Sequence, residues 1–225
     1  MSSMTVLGLD SAMTGCSVAL IERGRLKAER SRPDERGQAE ILLPMVEETM
    51  AAAESGFEAL DLIAVTVGPG AFTGLRIGLA AARGLALAAN RPVAGVTTLE
   101  AVAAATEAGE RRGRTLVVAL ETKRRDLYLQ RFADAFEADG EARAVEPAEF
   151  ASWAPAGALL LAGDGAPRLA ESLAGRDLAI SAARRPEARL VAAIAAGRHG
   201  TKRALAPEPL YLRPPDVSLP RPAQR

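Results

Sequence analysis

The stretch VTVGPGAFTGLRIGLAAARG, residues 65–84, contains the change of pattern that decides the fold. It begins with β-branched and apolar residues, passes through a Gly-Pro-Gly turn and continues with helical spacing. This pattern predicts a buried strand over Leu62 to Val67 and a helix over Phe72 to Ala89. The turn could hold a phosphate on backbone N–H groups, or it could simply be a tight turn before a packing helix. It matches neither the Walker pattern nor Gly-x-Gly-x-x-Gly.

The predicted helix has one face of very small side chains. Glycine or alanine recurs at every fourth position, which places these residues on one side of the helix. Glycine costs a helix about 1 kcal/mol relative to alanine, so two glycines on one face indicate close packing. The partner could be the chain's own sheet or a helix of another chain, and the spacing favours neither. The four residues are Gly74, Gly78, Ala82 and Ala86.

The segments around this stretch alternate between strand and helix patterns. Apolar spacing predicts a helix over Gln38 to Ser55, in which Pro44 should cause a kink or a late start. A further strand is predicted over Val93 to Val96, and it completes a β-α-β-α-β series. Before it, three apolar runs separated by turn residues predict an antiparallel meander over Thr5 to Leu9, Cys16 to Ile21 and Arg25 to Glu29.

The second half of the chain repeats this theme. Thr97 and Glu100 match a capping box, so a third helix is predicted to begin after Thr97. Two lobes of α/β structure are therefore expected, with a boundary near Glu100 to Arg114. The strands of the second lobe are predicted over Thr115 to Leu120, Leu127 to Phe132 and Ala158 to Ala162.

Composition limits the class of protein. The chain has 225 residues, 48% of them hydrophobic, which is enough to bury a core in one domain or two small ones. Its 28 basic and 28 acidic residues cancel, so no chain-wide positive field attracts nucleic acid or an anionic membrane. Arg76 and Arg83 interrupt the longest apolar stretch, so no membrane span is predicted. The N-terminus lacks a signal-peptide pattern, and a cytoplasmic protein is expected.

Few residues are candidates for chemistry. Asp10 ends the first predicted strand and could close an Asx-turn or face a nucleotide. The single cysteine, Cys16, and the single histidine, His199, are expected to be structural or solvated. The cluster Lys123, Arg124 and Arg125 lies at a predicted hairpin tip, where a solvated turn is the usual explanation and RNA contact the rarer one.

Several stretches together resemble the bacterial TsaB (YeaZ) family. The resemblance spans nearly the whole chain, and its glycine-rich block is the most specific part. The matching segments, in the family's order, are LGLDSAMTGCSVAL, GPGAFTGLRIGLAAARGLA, GVTTLEAVA, ALETKRRDLYLQRF, AGDGA and PLYLR. Such proteins belong to the machinery that attaches threonylcarbamoyl to the adenine beside the anticodon of ANN-decoding tRNAs.

This resemblance implies an α/β, two-lobed actin-like ATPase (ASKHA) fold, each lobe a mixed sheet with flanking helices. The implied domains are an N-terminal lobe over 1–100 and a second lobe over 101–206. A segment near 207–216 is expected to pack back on the first lobe, and residues 214–225 are expected to form a flexible tail.

The resemblance also implies a subunit without catalytic residues. The catalytic paralogue, TsaD, carries a metal-binding His-x-x-x-His on the helix after a similar Gly-Val turn, where this chain has Thr98 and Val102. Threonine and valine cannot hold a catalytic divalent metal. The expected function is therefore non-catalytic activation of TsaD, with no metal and no tightly bound cofactor in this chain, and with ATP or ADP and metal in partner subunits. Nothing in these residues supports peptidase activity.

The family pairs through its first two helices, both with itself and with TsaD. The implied partners are therefore TsaD, the TsaE ATPase in a ternary complex, a second copy of the chain in isolation, and tRNA indirectly. The residues assigned to this interface are Ile41, Leu42, Met45, Val46, Met50, Gly74, Leu75, Gly78, Leu79 and Ala82.

Two other functions stay open. A small ASKHA-type ATP-dependent phosphotransferase would use Asp10 and Asp164 with nucleotide at the glycine turns, whereas a plain self-associating scaffold would need no tRNA. Vestigial nucleotide binding is assigned to Asp10, Gly68, Gly70, Gly163, Asp164 and Gly165.

Overall fold

Two mixed β-sheets form the framework of the computed structural model, which describes residues 3–33, 37–134 and 137–213. The first sheet has the order β3-β2-β1-β4-β5. Its first three strands are antiparallel, whereas β4 and β5 run parallel to β1. The strands are β1 (Thr5–Asp10), β2 (Cys16–Glu22), β3 (Arg25–Arg32), β4 (Leu62–Gly68) and β5 (Val93–Thr97).

Helices α1 (Gln38–Ala52) and α2 (Phe72–Ala89) cover one face of the first sheet. Alternate residues of the strands, such as Leu7 and Val65, point to these helices because side chains of a strand alternate between faces. The predicted late start of α1 is wrong, because the helix begins at Gln38 and includes Pro44. A short 3₁₀ turn, Phe57–Ala59, leads from α1 towards β4.

Helix α2 is long and apolar enough to cross a membrane by length and composition, contrary to the prediction from Arg76 and Arg83. Its small face nevertheless packs on β4 and the β1–β2 loop, as expected of a core helix. Packing within the chain therefore explains the apolar character of the inner face of this helix.

The second sheet has the order β11-β10-β6-β7-β8, with β9 also paired to β7. Its two faces carry separate cores, one under α5 and α6 and the other under α3. The helices are α3 (Thr98–Ala104), α4 (Ala108–Arg111), α5 (Pro147–Trp153) and α6 (Ala166–Ser172). The strands are β6 (Thr115–Glu121), β7 (Leu127–Asp134), β8 (Glu137–Ala138), β9 (Arg143–Val145), β10 (Leu159–Ala162) and β11 (Leu178–Ile180).

The last helix, α7 (Ala188–Arg198), packs on the first sheet and not on the second. Val191 and Ala195 of α7 share a core with Val6 and Leu62 on the face opposite α1 and α2. At Gly8 a methyl group would lie 2.2 Å from the Ala188 carbonyl oxygen, so only glycine permits this approach. The predicted division at residue 206 is thereby corrected: the chain returns to the first sheet at residue 188.

After α7 the chain crosses the first sheet as an extended segment, residues 205–213, which we call the strap. Gly95 donates its N–H to Leu205 O at 2.9 Å, and Leu210 donates its N–H to Val67 O at 2.7 Å. At its far end, Arg213 forms an ion pair with Asp126 beside the β6–β7 turn. The strap therefore contacts both sheets. The predicted tail, 214–225, lies outside the described residues.

The predicted two-lobed α/β architecture, with a mixed sheet and flanking helices in each lobe, is confirmed. The capping box is also present, because Glu100 N–H donates to Thr97 Oγ1 at 3.1 Å and Thr97 N–H donates to Glu100 Oε2 at 3.0 Å. Glu100 additionally pairs with Arg198 at 2.8 Å, which ties α3 to α7.

Candidate functional site

A cleft of about 580 Å³ lies between the two sheets. The β1–β2 loop and the first turn of α2 line one side, and the end of β6 with the Gly-Asp-Gly turn lines the other. Both sides bring loops together at the carboxyl ends of parallel strands, where α/β sheets usually bind ligands. Its polar lining residues are Thr14, Gln38, Thr73, Glu121, Thr122, Lys123, Tyr128 and Asp164.

Two carboxyl groups make the interior of the cleft acidic. Asp164 accepts a hydrogen bond from the Glu121 N–H at 2.9 Å, while the Glu121 carboxylate pairs with Arg168 at 3.1 Å. Burial raises the pKa of Glu121, Arg168 opposes this rise, and the nearby Asp164 carboxylate adds to it. Burial likewise raises the pKa of Asp164. The interior therefore disfavours further negative charge.

Asp10 does not line this cleft but a neighbouring pocket of about 310 Å³. Its Oδ1 accepts hydrogen bonds from Thr66 Oγ1 at 2.7 Å and from the Ala12 N–H at 3.1 Å. Burial raises the pKa of Asp10 to about 6, and these two hydrogen bonds only partly oppose the rise. Asp10 thus closes the predicted Asx-turn.

The glycines assigned to nucleotide binding serve close approaches within the chain. Methyl groups at Gly70 and Gly163 would lie 2.2 Å and 2.1 Å from the carbonyl oxygens of Ala12 and Ala119. Gly163 and Gly165 donate their N–H groups to Ala183 O and Ala119 O, so these groups cannot cradle a phosphate. Gly68 lies under the strap, where an added methyl group would lie 2.8 Å from the carbonyl oxygen of Leu210. Gly70 and Asp164 line the cleft whereas Asp10 lines the neighbouring pocket, so the six predicted residues do not surround one ligand, and the Gly163–Gly165 turn does not fit a nucleotide phosphate.

The ten residues assigned to a partner interface lie on the inner side of α1 and α2. Leu42, Met45, Val46 and Leu75 are at most 2% exposed, and Ile41 is half-buried against the same core. This burial corrects the residue assignment, because these residues pack mainly against the first sheet, and of the ten only Leu42 also borders the outer side of the two helices. The other five buried residues are Met50, Gly74, Gly78, Leu79 and Ala82.

The outer side of the same two helices forms an exposed apolar groove of about 470 Å³. Leu43 is 46% exposed beside it, and at Gly84 a methyl group would meet no atom within 4 Å. Sequence reasoning missed this face, although its spacing at every third or fourth residue was visible. The groove, hereafter the outer groove, is lined by Ala39, Leu42, Leu43, Ile77, Ala80, Ala81, Gly84, Leu85 and Ala88.

The two helices that form the outer groove carry opposite charges. Exposed Glu40 and Glu47 lie on α1, and exposed Arg76 and Arg83 lie on α2. On α2 both charges contact the strap, because Arg76 Nε donates to the Tyr211 hydroxyl at 3.3 Å and Arg83 donates to Pro207 O at 2.6 Å. The residues that line the outer groove itself are all apolar or glycine.

Thr98 and Val102 occupy the helix positions at which TsaD is expected to carry its two histidines, and both are fully buried. Val102 belongs to the core between α3 and the second sheet. Within the described ranges, Thr98 Oγ1 has no hydrogen-bond partner, and no group of three or more histidine, cysteine, aspartate or glutamate residues could hold a metal ion. These positions hold packed side chains without ligand chemistry.

The remaining candidates are placed as follows. Cys16 is buried with its Sγ 3.5 Å from the Met45 Sδ, and His199 is exposed immediately after α7. Lys123, Arg124 and Arg125 are all exposed at the tip of the β6–β7 hairpin.

Comparison with known proteins places this geometry in context. A family model described as TsaD, tRNA N6-adenosine threonylcarbamoyltransferase, matches residues 34–200. The tRNA threonylcarbamoyladenosine biosynthesis protein TsaB of Haemophilus influenzae is 36% identical over 129 residues, which are 57% of this chain and 53% of that protein. The match thus spans about half the length of that relative. An uncharacterized protein of Mycobacterium tuberculosis is 36% identical over 215 residues, covering 95% of this chain and 93% of its own.

Solved structures agree in fold. YeaZ from Pseudomonas aeruginosa superposes with a TM-score of 0.78 at 29% identity, covering 94% of this chain and all of that one. A polyphosphate/ATP-glucomannokinase from Arthrobacter superposes with a TM-score of 0.51 at 16% identity over 85% of this chain and 97% of that one, a likeness of fold alone.

The two sheets and the cleft between them define a two-lobed protein with an actin-like ATPase (ASKHA) type of fold. Within this fold class, the family model matches most of the chain, and the YeaZ structure superposes over nearly all of it. The chain belongs to the TsaB/YeaZ family, so the resemblance found in the sequence is confirmed.

Proposed function

We propose that this chain is a non-catalytic subunit required for threonylcarbamoyladenosine formation in tRNA, where it binds and activates the TsaD transferase. The names of its relatives support the pathway. The observation that carries the activating role is the outer groove, an uncovered apolar surface on the two helices through which the family is expected to pair.

The partner we assign to the outer groove is a TsaD-type paralogue, with TsaE completing a ternary complex in the cytoplasm. A homodimer would use the same groove when the chain is alone, because a two-fold interface pairs the same surface patch of both subunits. ATP or ADP and metal would reside in the partner subunits, and tRNA would join the complex. The buried Thr98 and Val102 support the lack of a transfer centre here, because one threonine hydroxyl and a valine without any donor atom stand where two imidazoles would hold the metal.

A small phosphotransferase is the second candidate function, favoured by the cleft of about 580 Å³ and its carboxylates. Against it, Asp10 faces another pocket, and the N–H groups of Gly163 and Gly165 are already bonded within the chain. The activator is therefore the better supported function.

The deciding experiment measures threonylcarbamoyladenosine on tRNA in a reconstituted mixture of TsaD, TsaE and the remaining components, with and without this chain. The test variant is Ala80→Asp, which puts a charge into the outer groove without touching the core. The matched control is Ala108→Asp, at an exposed alanine on α4. Circular dichroism and thermal unfolding of both variants verify that they fold.

We expect product only when the chain is present. Ala80→Asp should lower both product formation and TsaD binding at least about tenfold, because a buried unpaired charge costs several kcal/mol. Ala108→Asp should change neither. Product that forms equally well without this chain would refute the activating role. Equal activity of the two variants would refute the assignment of the outer groove. Phosphate transfer from ATP to a small acceptor by the chain alone would favour the second function.

A further inference from the structure

We infer that the mouth of the cleft is an RNA-binding surface, made of a basic hairpin tip on one side and an exposed aromatic pair on the other. The inference rests on the proposed function, in which the modified substrate is a tRNA. The hairpin tip consists of Lys123, Arg124 and Arg125, and the aromatic pair consists of Phe72 on α2 and Tyr211 on the strap.

The hairpin tip presents its cations on a braced backbone. Thr122 Oγ1 donates to Asp126 O at 2.7 Å and accepts from the Arg124 N–H at 3.1 Å. From α6, Arg168 donates to Arg124 O at 2.6 Å and to Asp126 O at 2.7 Å. A tip held in this way loses little conformational freedom when it binds a charged partner.

The charges of Lys123 and Arg125 at the tip are available to solvent. Among the described residues, none forms a hydrogen bond or ion pair with the side chain of Lys123 or of Arg125. The acid beside them, Asp126, is buried and neutralised by Arg213. Glu146 and Glu149 line a hollow together with Arg124, Arg125 and Arg213, so the acids there are outnumbered by arginines. The tip is therefore a local source of positive charge in a chain whose net charge is zero.

Across the cleft, Phe72 and Tyr211 form an exposed stacking platform. They are 56% and 46% exposed, with ring centroids 5.9 Å apart and planes inclined by 30°. The guanidinium of Arg76 lies 3.7 Å from the Phe72 ring centroid, and its Nε donates to the Tyr211 hydroxyl at 3.3 Å. Exposed aromatic rings with an arginine plane are the groups on which unpaired bases stack.

The strap connects the platform to the hairpin tip. Leu210 is bonded to β4 at 2.7 Å, and two residues after Tyr211 the Arg213 side chain pairs with Asp126 of the hairpin. Phe72 and Lys123 also line the same cleft. Because the cleft interior is acidic, phosphates would run over this basic rim while unpaired bases meet the platform. An RNA with an exposed loop fits this arrangement better than an acidic peptide, which offers no bases to stack.

The test measures binding of a fluorescent ANN-decoding tRNA transcript to the full chain, and to its complex with TsaD, across a range of salt concentrations. The charge variant is the triple substitution Lys123→Gln, Arg124→Gln and Arg125→Gln. Its matched control removes one lysine and two arginines elsewhere on the exposed surface, by Arg112→Gln, Lys202→Gln and Arg203→Gln. The platform variant is Phe72→Ala with Tyr211→Ala, and Phe72→Tyr with Tyr211→Phe is its conservative counterpart.

We expect the charge variant to weaken tRNA binding at least about tenfold and to lower the slope of log affinity against log salt by about 2, because each lost phosphate contact removes nearly one released counterion. The platform variant should weaken binding about fivefold or more with little change of slope, and the aromatic replacements should restore it. Wild-type affinity and slope in the charge variant, while modification still depends on the chain, would refute the inference and leave the proposed function intact. If the charge variant lost TsaD binding while its tRNA binding was unchanged, the RNA-binding inference would also be refuted, and the hairpin tip would be a protein contact instead.

Discussion

The two faces of α2 carry the same kinds of residue and have opposite surroundings. On the inner face, Gly74 and Gly78 touch the β1–β2 loop, so that methyl groups would lie 2.1 Å from Ser11 O and 2.4 Å from Ser11 Oγ. On the outer face, a methyl group at Gly84 would meet nothing within 4 Å. Small residues on one helix can therefore serve either close packing inside a chain or an open groove, and their spacing alone does not distinguish the two. Substitutions along α2 separate these roles.

The largest effect is expected for Gly74→Ala. The added methyl group meets a backbone oxygen that cannot rotate away, so the β1–β2 loop must move. We expect the free energy of unfolding to fall by about 3 kcal/mol or more, since overpacking costs about 1–3 kcal/mol even where side chains can yield. Urea denaturation followed by circular dichroism measures this. Unchanged stability would show that the inner face is loosely packed.

Asp10→Asn tests the loop on which the inner face rests. Because the pKa of Asp10 is raised from 3.8 to about 6 in the folded chain, the folded state holds this proton more tightly than the unfolded state. Asp10 therefore lowers stability progressively as pH rises from about 4 to 6, and the full penalty persists above that range. Asparagine keeps an acceptor for Thr66 and Ala12 but does not titrate.

The asparagine variant should match the wild type near pH 4 and exceed it by about 2–3 kcal/mol at pH 8, because a tenfold difference in proton affinity between the folded and unfolded states is worth about 1.4 kcal/mol. Urea titrations at both pH values give the difference. Parallel stability curves for the two proteins across this range would contradict a raised pKa.

A double-mutant cycle at Gly78 and Ser11 gives the next effect. Ser11 Oγ donates to Gly74 O at 2.8 Å and occupies the space that a methyl group at Gly78 would need. Gly78→Ala alone should cost about 1–2 kcal/mol, because it displaces this buried hydrogen bond. In a Ser11→Ala background the same change should be neutral or stabilising, since the next nearest atom is Val65 Cγ2 at 3.5 Å. Additive effects of the two substitutions would rule out this contact.

The smallest effect is expected on the outer face. Gly84→Ala fills open space in a helix interior, so it should raise stability by about 0.5–1 kcal/mol through helix propensity. Thermal unfolding of the chain alone measures this gain. A loss of stability would mean that the outer face is packed, contrary to the contrast with Gly74.

Local signals in the sequence identified the elements well. The helix over Phe72 to Ala89 has the predicted bounds, and the capping box of Thr97 and Glu100 forms as predicted. Both are set by residues close in the chain, through apolar periodicity and side-chain capping. Short β9 and β11 were not predicted, because strands of three residues carry too little pattern.

Placement of those elements was harder to predict. Helical spacing marks a small face but not what lies against it, so the inner side of α2 was assigned to a partner. The return of α7 to β1 and the contact of Tyr211 with Phe72 join residues that are distant in the chain. Nothing local encodes such contacts, apart from glycines such as Gly8 that only a close approach requires.

The position of α7 also sets the order in which a nascent chain can complete its fold. The Ala188 N–H donates to Ser17 Oγ across 171 residues of sequence. At a synthesis rate of about 5–20 residues per second, α7 is made on the order of 5–20 seconds after β5, the last strand of the first sheet. Throughout that interval only α3 among the described helices, through Ala101, is available to cover the face that carries Val6, Leu62 and Ala64. The first sheet is thus made first but completed last. A chain released before residue 188 would expose this apolar face and would be prone to aggregate.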